Sequence, residues 1–171
     1  MTEAPIPEAP HDVVITAPDY RPGVIKHIVL FQFRETTSQA QRQEIEDRFH
    51  ALGTSTRGGQ TYILSIESGP QNSPEGLHRG LEQGFIVTFG SEGDRNYYLG
   101  EPLITDPDCF DRAHHEFKQF VGPHLEPDGV LVFDFPVKRG DPVERGLNET
   151  TSRGPTTWIW TSRLHCSSPP A

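Results

Sequence analysis

Two histidines fall on faces that are otherwise apolar. Residues 24–34 read Val-Ile-Lys-His-Ile-Val-Leu-Phe-Gln-Phe-Arg. Strand alternation would put His27 on one face with Ile25, Val29, Phe31 and Phe33. Farther along, His114 falls on a helical stripe with Phe110, Phe117 and Val121. An imidazole with an ordinary pKa of ~6.5 can accept or release a proton at neutral pH, so both are candidate acid–base groups. Each also reads as a hydrogen-bonded core histidine.

Other chemistry is less well supported. His78, His114, His115 and His124, with Asp106 and Asp108, would be needed for a metal site. Adjacent helical histidines point about 100° apart and no His-x-x-x-His pair is present, so no metal and no cofactor are expected. Cys109 has no base fixed near it in the sequence, and Gly58-Gly59 and Gly76-x-x-x-Gly80 match no phosphate-binding loop.

The histidines need elements to hold them. Residues 24–34 suit one strand, rich in β-branched and aromatic residues and apolar on both faces, so something must cover both sides. Ser38 with Gln41 forms a capping-box pattern, and Ile45, Phe49 and Leu52 mark an amphipathic helix over residues 40–52. Residues 62–68 read as a second strand and 69–76 as turn chemistry. Residues 81–89 read as a third strand, with Leu81, Gln83, Phe85, Val87 and Phe89 on one side. A helix can start at Asp94, and residues 100–108, with Pro102 and Pro107, would interrupt it. The His114 helix ends at Gly122-Pro123, and residues 130–135 form a fourth strand.

This order gives an α+β, ferredoxin-like βαββαβ domain over residues 23–138 with a four-stranded antiparallel sheet. Two helices cover one face. The other apolar face calls for a second copy, a homodimer through the sheet face that makes a dimeric α/β barrel. Residues 1–22, with five prolines, read as a disordered arm. Residues 139–171 read as an irregular Gly/Pro/Ser/Thr-rich tail in which Trp158-Ile159-Trp160 is an apolar island suited to docking.

The 171 residues carry a net charge of −9, which disfavours nucleic acid and anionic membrane as partners. The longest apolar runs fall short of the ~18–20 residues a membrane helix needs, and residues 1–10, with no basic or apolar region, are not expected to act as a secretory signal. With two cysteines and no disulfide framework, a cytoplasmic protein is expected.

Several segments together resemble the stress-responsive A/B barrel (Dabb) family of the dimeric α/β barrel superfamily. They are Ile25-Lys26-His27-Ile28-Val29-Leu30-Phe31, Gly69-Pro70-Gln71-Asn72-Ser73-Pro74-Glu75-Gly76-Leu77 and Gly84-Phe85-Ile86-Val87-Thr88-Phe89, followed by Asp94-Arg95-Asn96-Tyr97-Tyr98-Leu99 and Val130-Leu131-Val132-Phe133-Asp134-Phe135. Order and spacing carry the resemblance across residues 24–136. It implies the same fold and the same sheet-to-sheet dimer.

The family includes stress proteins without known chemistry and the plant olivetolic acid cyclase, which closes a linear polyketide by aldol condensation without a cofactor. The resemblance places Tyr98 and His114 at that enzyme's implicated tyrosine and histidine, with residues 100–110 as an insertion between them and a possible lid. His27 matches a strand histidine, and Gln83 falls where the cyclase has another pocket histidine. In this reading His114 is the base, Tyr98 the donor that steadies an enolate, and His27, Phe31, Gln83, Phe85 and Phe117 hold a small hydrophobic or aromatic ligand. The implied activity is a polyketide-type cyclase, isomerase or lyase of secondary metabolism. The alternatives are a non-catalytic stress-associated dimer and monooxygenase-like chemistry found elsewhere in the superfamily.

Overall fold

The computed structural model describes residues 10–138. The tail island Trp158-Ile159-Trp160 and residues 1–9 lie outside them.

Strand β1 (Pro22–Phe33) is central and alternates as its sequence suggests: Ile25, His27, Val29, Phe31 and Phe33 are buried, and the residues between them are half-buried or exposed. Helix α2 (Gln39–Ala51) starts at the expected capping box, with Ser38 Oγ accepting from Gln41 N and Gln41 Oε1 accepting from Ser38 N. A two-residue ribbon, β2 (Thr56–Arg57) and β3 (Gln60–Thr61), leads into β4 (Ile63–Pro70). Strand β5 (Gln83–Ser91) runs directly into α3 (Glu92–Leu99), which Ser91 caps by accepting from Asp94 N. Helix α4 (Arg112–Val121) is capped by Asp111 and followed by β6 (Leu125–Pro136).

The sheet order is β4-β5-β1-β6, every pair antiparallel, with the helices on the Ile25/His27 face. Phe49 of α2 stacks on Phe85 of β5 with ring centroids 3.9 Å apart, and Phe117 of α4 meets Phe49 edge-on. This cluster locks the helix layer to the sheet. The opposite face stays uncovered, with Leu131, Phe133 and Phe135 exposed, Phe133 at 58%. Apolar residues of that density on open sheet mark a surface for association.

The proline-rich arm departs from expectation within residues 10–22. There the chain makes a one-turn helix α1 (His11–Ile15) and straps across α3. Asn96 Nδ2 donates to Ile15 O at 2.8 Å, and the amides of Glu92 and Gly93 donate to the carbonyls of Arg21 and Tyr20. The strap passes so close that a Cβ at Gly93 would lie 1.8 Å from Ala17 O, so only glycine fits there. Ile15 packs on Ile104, Cys109 and Phe110, a minor core made with residues 100–110. Composition suggested too little apolar surface for order. The insertion supplies the missing partner.

Asp12 ties the two segments together by accepting from the amides of Thr105 and Asp106 at 2.9 and 3.0 Å. Those bonds, from Asp106 first and Thr105 second, hold its carboxyl below the usual carboxylate range. Asp12→Ala is expected to speed hydrogen exchange at the Thr105 and Asp106 amides and to lower the melting temperature. Unchanged exchange at both would show that the strap does not hold the insertion.

Candidate active site

Helices α2, α3 and α4 lie over β4, β5 and β1 but stop short of β6. The gap is a cavity of about 340 Å³, in the range of small-molecule sites. Its walls are β1 through His27, Val29 and Phe31, α4 through His114, Phe117 and Lys118, and the inner side of β6 through Val130 and Val132. Residues 100–103 form its roof. The insertion therefore does reach the cavity, although its far half is packed into the minor core.

His27 owes its orientation to β6. The antiparallel register sets Asp134 opposite it, and Asp134 Oδ1 accepts from His27 Nδ1 at 2.6 Å. Arg95 Nη1 of α3 donates to Oδ2 of the same carboxylate at 2.6 Å. Burial works against the Asp134 charge, but His27 and Arg95 outweigh it and hold its pKa below the usual value. Because a carboxylate only accepts, Nδ1 of His27 carries the hydrogen and Nε2 is the basic nitrogen. Should that ring take a proton, Asp134 stands ready to stabilise the cation.

His114 is held differently. Its Nδ1 donates to the Tyr98 backbone carbonyl at 2.5 Å, and its ring stacks on the Tyr98 ring at 3.7 Å. Nε2 again holds the lone pair. Burial pushes the pKa down to about 3, against the pull of the Tyr98 carbonyl, so this ring stays neutral at physiological pH. It can accept a hydrogen bond but is a poor resting place for a proton.

Tyr98 bridges the two histidines, edge-on to His27 at 5.6 Å. With residues 100–110 between them, the Tyr98 and His114 rings are stacked. The tyrosine hydroxyl, however, does not serve as the expected donor: it is fully buried, has no hydrogen-bond partner among the described residues and does not line the cavity. Burial and the nearby Asp111 charge raise its pKa. Asp111 also accepts a short hydrogen bond from Tyr62 Oη and caps α4 through the amides of Ala113 and His114. Tyr98 thus backs His114 and orients it.

Of the expected ligand-binding residues, Phe31 and Phe117 line this cavity with His27. Phe85 does not, because Phe49 covers its ring completely. Gln83 lies near the end of the sheet beside a different hollow of about 650 Å³, formed on the open face with Leu30, Leu77 and Leu131. That hollow is larger but contains neither His27 nor His114. Asp134 was missed in the sequence. It is the single charged residue in Val130-Leu131-Val132-Phe133-Asp134-Phe135, and alternation puts it on the face of Val130 and Val132. Alternation goes no further than that grouping; the β1–β6 register is what sets the group on the histidine face.

A four-stranded antiparallel sheet in this order, backed by helices on one side, defines a ferredoxin-like α+β protein. The chain belongs to the stress responsive A/B barrel domain family (Dabb), whose model matches residues 25–137. Solved structures share the fold. The Arabidopsis thaliana protein At3g17210 is 24% identical, over 68% of this chain and 97% of its own, with a TM-score of 0.54. The hydroxynitrile lyase from Passiflora edulis is 20% identical, over 71% of this chain and 99% of its own, also at 0.54. A dimeric ferredoxin-like protein from Jannaschia sp. CCS1 is 19% identical, over 67% and 100%, at 0.52. Among curated proteins none matches the chain in sequence. Among the described residues no helix is long and apolar enough to cross a membrane.

The buried neutral histidine has a consequence for stability. The unfolded chain protonates His114 near ~6.5 and the folded chain only near about 3, so falling pH favours unfolding across that window. Its contribution is complete above ~6.5 and declines by a few kcal/mol as pH falls toward 3. Urea unfolding between pH 7 and pH 4 is expected to show a shallower loss of stability in His114→Gln than in the wild type. Equal slopes would contradict the buried neutral ring.

Proposed function

We propose that the chain is a cofactor-independent enzyme of the lyase or aldol-type cyclase class, acting in the cytoplasm as a homodimer on a small apolar or aromatic carbonyl compound. The observation that carries this reading is His27: its Nδ1 is fixed on the Asp134 carboxylate and its ring lies on the wall of an apolar cavity. A base held in one tautomer, with a carboxylate behind it, suits removal of a proton from a hydroxyl or from carbon next to a carbonyl. That proton transfer begins both cyanohydrin cleavage and aldol closure. His114 Nε2 accepts from a substrate hydroxyl and orients it, while Tyr98 positions His114. The base role expected for His114 passes to His27, because burial without a counter-charge makes a proton on His114 costly. Likeness to a hydroxynitrile lyase supports the reaction class at the level of fold.

The experiment is turnover of an aromatic cyanohydrin to aldehyde and hydrogen cyanide, alongside cyclisation of a linear poly-β-keto compound. His27→Asn is expected to lower kcat by about 10²- to 10⁴-fold, the usual contribution of a positioned base. Absence of turnover in both assays, or a His27→Asn variant as fast as the wild type, would defeat the reading.

The dimer rests on the exposed Leu131, Phe133 and Phe135 and on the Jannaschia protein, which is described as dimeric. Two such sheets packed face to face bury what one leaves wet. Light scattering is expected to give twice the chain mass for the wild type and a single chain mass for Phe133→Asp. A monomeric wild type would remove the dimer from the proposal.

A further inference from the structure

Proton removal by His27 leaves negative charge on the substrate, and the site described so far has no group to receive it. We infer that Lys118 is that group: its ammonium is the oxyanion-holding donor of the cavity, and the ligand bound most tightly there is an enolate- or phenolate-like anion. This rests on the proposed proton-transfer reading and extends it to the charge that reading creates.

Lys118 lies one helical turn after His114 on α4, so both side chains project from one face of the helix. It lines the cavity, and among the described lining residues it is the one Lys or Arg. Nζ donates to the carbonyls of Leu99 and Glu101 at 2.8 and 3.2 Å. An ammonium has three hydrogens, so two fix the head group and one remains for an occupant. The two carbonyls act as a mount: they hold the cation at the roof without adding a counter-charge that would cancel it.

The other titratable groups on the wall are His27, His114 and Glu101. Both histidines present acceptor nitrogens, and neither supplies an N–H to an anion from Nε2. Glu101 is an exposed residue whose carboxylate charge is felt at Lys118. Its charge favours the ammonium form while burial disfavours it, and burial prevails. A partly dehydrated cation gains more from an arriving anion than a fully hydrated one, because less water must be stripped away. Lys118 and His114 line the same cavity from one face of α4, so an occupant that meets His114 lies within the field of the cation.

In the reaction the lone pair of His27 Nε2 takes the proton, and the electron pair left behind settles on the substrate oxygen. Lys118 donates to that oxygen and keeps its own proton. Charge is conserved: one imidazolium beside Asp134 and one oxyanion beside the ammonium.

The test uses the full-length protein and two probes, 4-nitrophenol, whose phenolate absorbs in the visible, and neutral 4-nitrotoluene of similar shape. The wild type is expected to bind the phenolate in preference to the phenol, shifting the bound dye toward its yellow form. Lys118→Met is expected to weaken phenolate binding by about tenfold or more, as for loss of a charged hydrogen bond, and to leave 4-nitrotoluene binding within about twofold. Lys118→Arg keeps a cation whose N–H groups can donate to the same carbonyls, and is expected to retain the yellow shift. If Lys118→Met weakens both probes equally, Lys118 is only a clasp for the roof and the inference fails while the proposed function stands. The same holds if the dye's colour does not respond to Lys118→Met. If the wild type binds neither probe, the cavity is no ligand site and both readings fall together.

Discussion

The helix layer is narrower than the sheet it covers. Helices α2, α3 and α4 bury the inner faces of β4, β5 and β1, and the Phe49–Phe85–Phe117 cluster fixes them there. Strand β6 is left over, with Val130 47% and Val132 53% exposed although they face the helix side. A tightly packed interior would fill that volume. Here a loop crosses above it and leaves it hollow. The cavity is therefore a product of layer geometry, and any chemistry placed on β1, β6 or α4 near that edge faces an apolar enclosure.

Polar groups in such a place must be paired, since an unpaired buried one costs roughly 1–3 kcal/mol. The site pairs all its ring nitrogens on one side only. His27 gives Nδ1 to Asp134, His114 gives Nδ1 to a backbone carbonyl, and the two Nε2 atoms keep their lone pairs. What differs is the charge behind each ring. A carboxylate that also engages Arg95 stands behind His27, while behind His114 a carbonyl in a buried position does not offset the cost of burying a charge. Two histidines placed at similar depth thereby have different surroundings, a carboxylate shared with Arg95 behind one ring and a backbone carbonyl behind the other.

Much of this was legible from local pattern. The alternation of residues 24–34, the Ser38/Gln41 capping box and the Phe117/Val121 stripe each depend on neighbours within a few residues, and each found its element. What escaped depends on partners far along the chain. Asp134 matters because the β1–β6 register sets it against His27, a pairing 107 residues apart in sequence. Phe85 looked like a pocket wall until Phe49 took its ring, and Gln83 on the same strand fell beyond the reach of the helix layer. The Tyr98 hydroxyl was assigned a donor role by likeness, and only the packing of α3 against α4 shows that its ring, not its oxygen, meets the histidines.

The arm illustrates the same limit in reverse. Its five prolines and scattered acids argued for a solvated chain, and for an isolated peptide that inference holds. Order in residues 10–22 arises because the insertion brings Ile104, Cys109 and Phe110 to Ile15, and because Asp12 meets two backbone amides that the insertion would otherwise leave bare. Neither segment has enough apolar surface to order itself. Together they make a small second core beside α3, and residues 100–103 leave that core to form the cavity roof. Part of that support comes from residues before position 25, outside the span shared with the family. The roof, and with it the shape available to a ligand, thus leans on Asp12 and Ile15, which lie outside that span.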